Sequence, residues 1–180
     1  MLSPEALNSL GQTLWMHPED RVYALLDGAS VPKLLDRLYA APRPQFECLL
    51  TGDLKPDMAE VAPYLVALER ETEFAQWVMA QGWGQHWGLY AVTQVDLRKL
   101  WFHLRQLVTV YSPEHRPMLF RYYDPRVLRV FLPTCSKEQV LEMYGPVERF
   151  VTEADAPTTA LTFTHVGGEL QTGTRQLGRA

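Results

Sequence analysis

Five apolar residues in a row, Val22-Tyr23-Ala24-Leu25-Leu26, closed by Asp27-Gly28, constrain the fold of this 180-residue chain more than any other feature. The run is too short for an ordinary helix and offers no polar residue for a wet face. It reads as a strand buried on both faces, inside a layered sheet. The segments around it alternate in kind. Ser3-Pro4-Glu5 gives an N-cap, a first-turn proline and an early acid to a helix bearing Leu7, Leu10, Leu14 and Trp15 on one face. Ser30 is placed to cap a second helix with a Leu34, Leu35, Leu38 stripe, ended by Pro42 and Pro44. Phe46, Cys48 and Leu50 mark a second strand. Val61 to Leu68 reads as a third, weakened by Pro63.

The alternation continues. Glu69, Glu71 and Glu73 load a helix start with negative charge, Phe74, Trp77 and Val78 form its apolar face, and Gly82 closes it. Trp87 to Val92 reads as a strand. Thr93 and Asp96 fit a capping box ahead of the clearest amphipathic stripe, Leu97, Leu100, Trp101, Leu104, Leu107 and Val108. Met118 to Arg121 is a further strand, and Asp124-Pro125 opens a helix that Pro133 stops. Ser136 and Gln139 form another capping box on a short helix ended by Gly145-Pro146. Thr158 to Val166 then turns through Gly167-Gly168 into Glu169 to Thr172, leaving Gly173 to Ala180 as an expected mobile tail. The expected class is α/β: a layered sheet with flanking helices over residues 1–133, plus a small C-terminal α+β lobe over 134–180.

Charge and composition narrow the function. Seventeen Lys and Arg against twenty-one Asp and Glu leave a formal charge of −4, which argues against nucleic acid or an anionic membrane as main partner. The longest stretch without Asp, Glu, Lys or Arg, Phe74 to Val95, carries Gln76, Gln81, Gln85, His86 and Gln94. Lipid would leave those side chains unsatisfied, so no membrane span is expected. The start Met1-Leu2-Ser3-Pro4-Glu5 lacks the basic and apolar regions of a secretory signal, and two cysteines make no disulfide framework. A reducing cytoplasmic setting is the expectation.

Sites of chemistry are few. The chain has no G-x-S-x-G elbow, phosphate loop or G-x-G-x-x-G, and its five histidines lack metal-ligand spacing, so neither cofactor nor metal is expected. Cys48 could pair with His103 or His86 as a thiol–imidazole couple, but it sits in an apolar run that suits a small buried hydrophobe. Asp27 stands where a buried strand ends, as a ligand-facing group or as a turn residue bonding its own backbone. Gly82 to Gly88, with Trp83 and Trp87, reads as core packing or as a surface for flat ligands. Arg121-Tyr122-Tyr123-Asp124-Pro125-Arg126 is the most unusual stretch. It gathers two guanidinium groups, two phenols and a carboxylate at one strand-to-helix corner, either as an internal bridge or as a recognition surface.

Six motifs in order carry a family resemblance: Val22 to Ala29, Cys48-Leu49-Leu50-Thr51-Gly52, Ala62-Pro63-Tyr64-Leu65-Val66, Trp87-Gly88, His103-Leu104-Arg105 and Phe120 to Leu128. Together, over about Val22 to Val147, the chain resembles the DUF4123 family, the adaptor chaperones of bacterial type VI secretion. The matched positions are Asp27, Pro63, Tyr64, Trp87, Gly88, Arg105, Arg121, Asp124, Pro125 and Arg126. The resemblance implies a non-catalytic protein that binds a toxin effector, through the effector's N-terminal region, and loads it onto the VgrG spike. Candidate partner-binding residues are Arg105, Arg121, Tyr123, Asp124 and Arg126, and cargo preference would reside in Ser136 to Ala180. The alternatives are a small hydrolase-like enzyme built on Cys48 or Asp27 and an immunity protein that inhibits a toxin.

Overall fold

The computed structural model describes residues 2–178. Its helices are α1 (Pro4–Leu14), α2 (Leu34–Tyr39), α3 (Pro56–Val61), α4 (Glu73–Gly82), α5 (Leu97–Leu107), α6 (Pro125–Phe131) and α7 (Lys137–Tyr144). The strands are β1 (Arg21–Asp27), β2 (Phe46–Cys48), β3 (Pro63–Leu68), β4 (Gly88–Thr93), β5 (Thr109–Tyr111), β6 (Pro117–Leu119), β7 (Arg149–Glu153), β8 (Thr159–Val166) and β9 (Glu169–Gln176). Among the described residues seven of them form one antiparallel sheet in the order β2-β3-β1-β4-β7-β8-β9, and β5 with β6 forms a separate ribbon.

The apolar run behaves as its composition demands. Val22, Ala24 and Leu26 face a core shared with Leu10 and Leu14 of α1, Leu34 and Leu38 of α2 and Val78 of α4. Tyr23 and Leu25 face the opposite core, with Leu100 and Leu104 of α5, Leu128 of α6 and Met143 of α7. The sheet is therefore the middle of three layers, with β1 between β3 and β4. Each large side chain buried this way stabilises the fold by about 1.5–3 kcal/mol before its lost freedom is counted. Pro63 costs the sheet nothing because it opens β3. The Asp27 N–H opposite it donates to the Trp87 carbonyl at 2.8 Å, and the Pro63 carbonyl accepts from Leu49 N–H at 2.9 Å.

Local signals hold at most helix starts. Ser3, Thr72, Asp96, Asp124 and Ser136 are side-chain N-caps, and Ser136 with Gln139 completes the capping box. Three expectations shift. Ser30 does not cap α2, which starts after Lys33 in a left-handed conformation; the Ser30 hydroxyl donates to Asp27 instead, at 2.8 Å. Thr93 is drawn away from α5 to the Pro146 carbonyl at 2.6 Å, so Asp96 alone caps that helix through Lys99 N–H. Of the three glutamates before α4, only Glu73 lies in its first turn.

Residues 134–180 supply α7 and three strands of the main sheet. β7, unread in the sequence, pairs with β4 and is buried along its whole length. Its apolar residues number two in five, and its Arg149 is buried because Nη2 reaches Asp20 at 2.5 Å and the Leu14 carbonyl at 3.0 Å. Gly173 to Gln176, expected in the tail, belong to β9, while Arg179 and Ala180 lie outside the described residues. No helix among the described residues is long and apolar enough to cross a membrane.

Candidate functional site

β1 delivers Asp27 to the end of the sheet, where the chain turns at once. Ser30 and Val31 N–H donate to the Asp27 carbonyl at 2.8 and 3.1 Å. The Asp27 carboxylate is buried; its Oδ1 accepts from Ala29 N–H at 3.2 Å and its Oδ2 from the Ser30 hydroxyl. Gly28 is forced here, since a Cβ would stand 2.5 Å from the Ala62 carbonyl oxygen. Both sequence readings of Asp27 therefore meet in one side chain. It shapes its own turn, and Oδ2 also receives Arg121 Nη2 at 2.5 Å across 94 positions of chain.

Arg121 lies between β6 and α6, and the start of α6 supplies the rest. Asp124 caps the helix by accepting from Arg126 N–H at 2.9 Å, and it also binds the Arg126 side chain in a fork, Nε to Oδ1 at 3.0 Å and Nη2 to Oδ2 at 2.7 Å. Arg121 Nη2 stands 3.7 Å from Asp124 Oδ2 and so links the two pairs. The outcome is a chain Asp27–Arg121–Asp124–Arg126 with buried carboxylates and half-exposed guanidiniums, the Arg121 and Arg126 side chains being 42% and 54% exposed. Burial works to raise the Asp124 carboxyl, but the Arg126 bonds and both guanidinium charges outweigh it and hold it below the ordinary range. Burial likewise opposes the Arg121 charge, and the Asp27 carboxylate overrides it, so that guanidinium titrates above its ordinary value.

This geometry has a chemical meaning. A guanidinium carries five N–H donors in a rigid plane, and a buried carboxylate that binds one edge fixes the plane while other donors remain for an incoming carbonyl or carboxylate. Val130 adds an apolar neighbour one helical turn beyond Arg126 on the exposed side of α6.

The expected partner-binding residues divide into three groups. Arg121, Asp124 and Arg126 come together, joined by Asp27. Tyr123 sits buried beneath the corner rather than on its surface; burial, with the Asp27 charge second, pushes its phenol up to about 12. Its neighbour Tyr122 is buried as well and donates to the Leu104 carbonyl at 2.8 Å, which ties the corner to α5. Arg105 stands elsewhere, with its guanidinium 4.5 Å from the Trp101 ring centre and 5.6 Å from that of Phe102. No described bond links it to the corner.

The other candidates resolve into packing. Cys48 meets neither histidine: His103 Nε2 bonds the Met143 carbonyl at 3.1 Å, and His86 pairs with Glu153. Burial pushes the Cys48 thiol up, away from the thiolate a nucleophile needs. Trp83 is buried with Nε1 donating to the Pro157 carbonyl at 2.7 Å, and Trp87 lies against Trp77 with ring centres 4.9 Å apart. Glu153 on β7 was missed entirely, because no strand was legible there. Its buried carboxylate accepts from Gly84 N–H at 2.5 Å and His86 N–H at 3.1 Å and so pins the loop between α4 and β4. Among the described residues no three His, Cys, Asp or Glu side chains gather as a metal site would require.

Comparison with known proteins adds one finding. A family model described as a domain of unknown function (DUF4123) matches residues 22–142. No curated protein and no solved structure matches.

Proposed function

The chain belongs to the DUF4123 family, and on that premise we propose that it is an adaptor chaperone of type VI secretion. It binds a toxin effector in the bacterial cytoplasm, through the effector's N-terminal region, and promotes its loading onto the VgrG spike without catalysis. One observation carries the reading: Arg121 and Arg126 are held from beneath by buried carboxylates and present half of each side chain outward. An internal bridge alone has no use for two exposed guanidiniums in fixed planes, whereas a protein partner offers carbonyls and carboxylates that fit them. The drawn-up Cys48 thiol, with His103 and His86 each engaged elsewhere, supports a binding role over a hydrolytic one.

The test is affinity purification of the tagged full chain from its native bacterium with the secretion system expressed, followed by mass spectrometry. Recovery of one toxin-like protein together with a VgrG spike is the expected result. Recovery of neither refutes the adaptor role, and inhibition of a captured toxin's activity would reassign the chain as an immunity protein.

A further inference from the structure

The ribbon of β5 and β6 is the most anomalous surface in the molecule. All six of its residues are exposed, and four are large and apolar: Val110, Tyr111, Met118 and Leu119 at 37, 68, 49 and 54%. The register pairs Thr109 with Leu119, Val110 with Met118 and Tyr111 with Pro117. Tyr111, Pro117 and Leu119 therefore share one face and Val110 with Met118 the other, and both are wet. An isolated two-stranded ribbon is marginal in water, so covering this one offers a gain to any partner that can do so.

The ladder also shows which edge is open. Phe120 N–H donates to the Val108 carbonyl at 2.7 Å and Ser112 N–H to the Arg116 carbonyl at 2.9 Å. Those bonds make Val110–Met118 the bonded pair between them, so the backbone groups of Thr109 and Tyr111 point off the outer side of β5. The outer side of β6 is blunted by Pro117, which has no N–H. No strand among the described residues pairs with β5 on its open side.

Charge decides the occupant. From Leu97 to Thr134 the chain has seven Lys and Arg against two acids, while the remaining residues have ten against nineteen. Arg121, Arg126 and Arg129 are committed to carboxylates. Arg98, Lys99, Arg105 and Arg116 form no ion pair among the described residues. Arg98 and Arg105 lie over the half-exposed Phe102 on α5, the helix that runs into β5, and Arg116 sits in the ribbon's turn, where the one acid, Glu114, is bonded to Ser112. A second copy of this chain would bring like charges together. Nucleic acid would find mostly aliphatic side chains where bases need flat rings.

We propose that the β5–β6 ribbon docks an extended polypeptide segment with apolar side chains and acidic flanks, which pairs along the open edge of β5. The segment belongs to the partner of the adaptor reading, on which this inference rests. Edge pairing supplies main-chain bonds, the apolar residues cover the ribbon, and Arg105 in the last turn of α5 and Arg116 in the ribbon's turn draw the acidic flanks.

The probe is a fluorescein-labelled peptide, Glu-Glu-Val-Thr-Val-Thr-Val-Glu-Glu, titrated with the full chain and read by anisotropy. Saturable binding is expected, at least ten-fold tighter than for the same peptide with Lys flanks or for a twelve-nucleotide oligothymidylate, and weaker in 0.5 M salt. Tyr111→Asp with Leu119→Glu should cost at least ten-fold in affinity at an unchanged melting temperature, and Arg116→Glu, in the exposed turn, serves if that variant misfolds. Equal binding of both peptides, tighter binding of the oligonucleotide, or ribbon variants that bind like wild type would overturn the proposal. So would a wild-type dimer that Tyr111→Asp dissociates. The adaptor reading is judged separately: a ribbon variant that still captures the effector and spike sinks the ribbon and spares the adaptor. A wild-type chain that captures neither sinks the adaptor, and the peptide titration still judges the ribbon.

Discussion

Removing Arg121 should destabilise the protein more than removing its partner Asp27, and removing both should cost less than removing Arg121 alone. The Asp27 side chain is 2% exposed and the Arg121 side chain 42%. Arg121→Ala strands a buried carboxylate with only the Ser30 hydroxyl and the Ala29 N–H to hold it. Orphaning one member of a fully buried pair costs about 3–5 kcal/mol. The half-exposed guanidinium lowers the worth of this pair, which places Arg121→Ala at about 2–3 kcal/mol. Asp27→Ala frees a guanidinium that reaches water and keeps Asp124 at 3.7 Å, so its cost is mainly the two turn bonds, about 1 kcal/mol. The double variant should resemble Asp27→Ala, with a coupling of at least about 1 kcal/mol between the sites. Urea denaturation of the four proteins at pH 7 and low salt measures all three differences. A double variant whose loss equals the sum of the single losses, or an Asp27→Ala loss larger than that of Arg121→Ala, would refute the view of Arg121 as the counter-charge of a buried acid.

Three further outcomes follow from the same geometry. Gly88→Ala should cost more than about 3 kcal/mol by thermal melting, because its Cβ would fall 1.8 Å from the Leu25 carbonyl oxygen in the middle of the sheet. Burial works to raise the Asp20 carboxyl, but Arg149 overrides it and holds it below its ordinary 3.8; that contribution is complete above about pH 4 and is lost as pH falls through the lower folded value. Acid titration of stability should therefore steepen below pH 3.8 in the wild type and be shallower in Asp20→Asn, with residual slope from the other lowered carboxyls, Asp124, Glu114 and Glu138. Arg126→Ala leaves the buried Asp124 carboxylate its cap on the residue-126 N–H and Arg121 at 3.7 Å, so its melting loss should stay below that of Arg121→Ala while effector capture falls at least ten-fold.

The parts of the fold legible in the sequence are those where one local rule acts alone. The Val22 to Leu26 run needed burial on both sides and received it, and Asp124-Pro125 and Ser136 with Gln139 start helices as their chemistry requires. Ser30 and Thr93 departed from expectation because another acceptor outbid the helix start, the buried Asp27 carboxylate three residues back for one and the Pro146 carbonyl 53 positions on for the other. β7 was illegible for a related reason. Arg149, Thr152 and Glu153 interrupt its apolar pattern, and the Asp20, Gly84 and His86 groups that satisfy Arg149 and Glu153 arrive from other parts of the chain. At the site, the Arg121 to Arg126 stretch was visible as a composition, but its link to Asp27 spans 94 positions and only folding reveals it. The same limit explains Tyr123, which is buried in the core that α5, α6 and α7 line and could not be read from its polar neighbours.

The boundary of the family match runs through the sheet, and this bears on where partners are told apart. Residues 22–142 supply β1 to β4 and end inside α7, whereas β7, β8 and β9 come from beyond the match. β4 nevertheless takes β1 on one side and β7 on the other, and Phe150 and Val151 of β7 fill the two opposite cores. A β7 that varied freely would unpack both, so packing holds it nearly as tightly as the matched strands. β9 is under no such constraint: it is the sheet's last strand and most of its residues are exposed. The charged corner, Asp27 with Arg121, Asp124 and Arg126, and the apolar ribbon all lie within the match. On the adaptor reading, this arrangement places the common means of grasping a partner in the matched segment. It leaves the outer strand as the surface that can change from partner to partner without cost to the core.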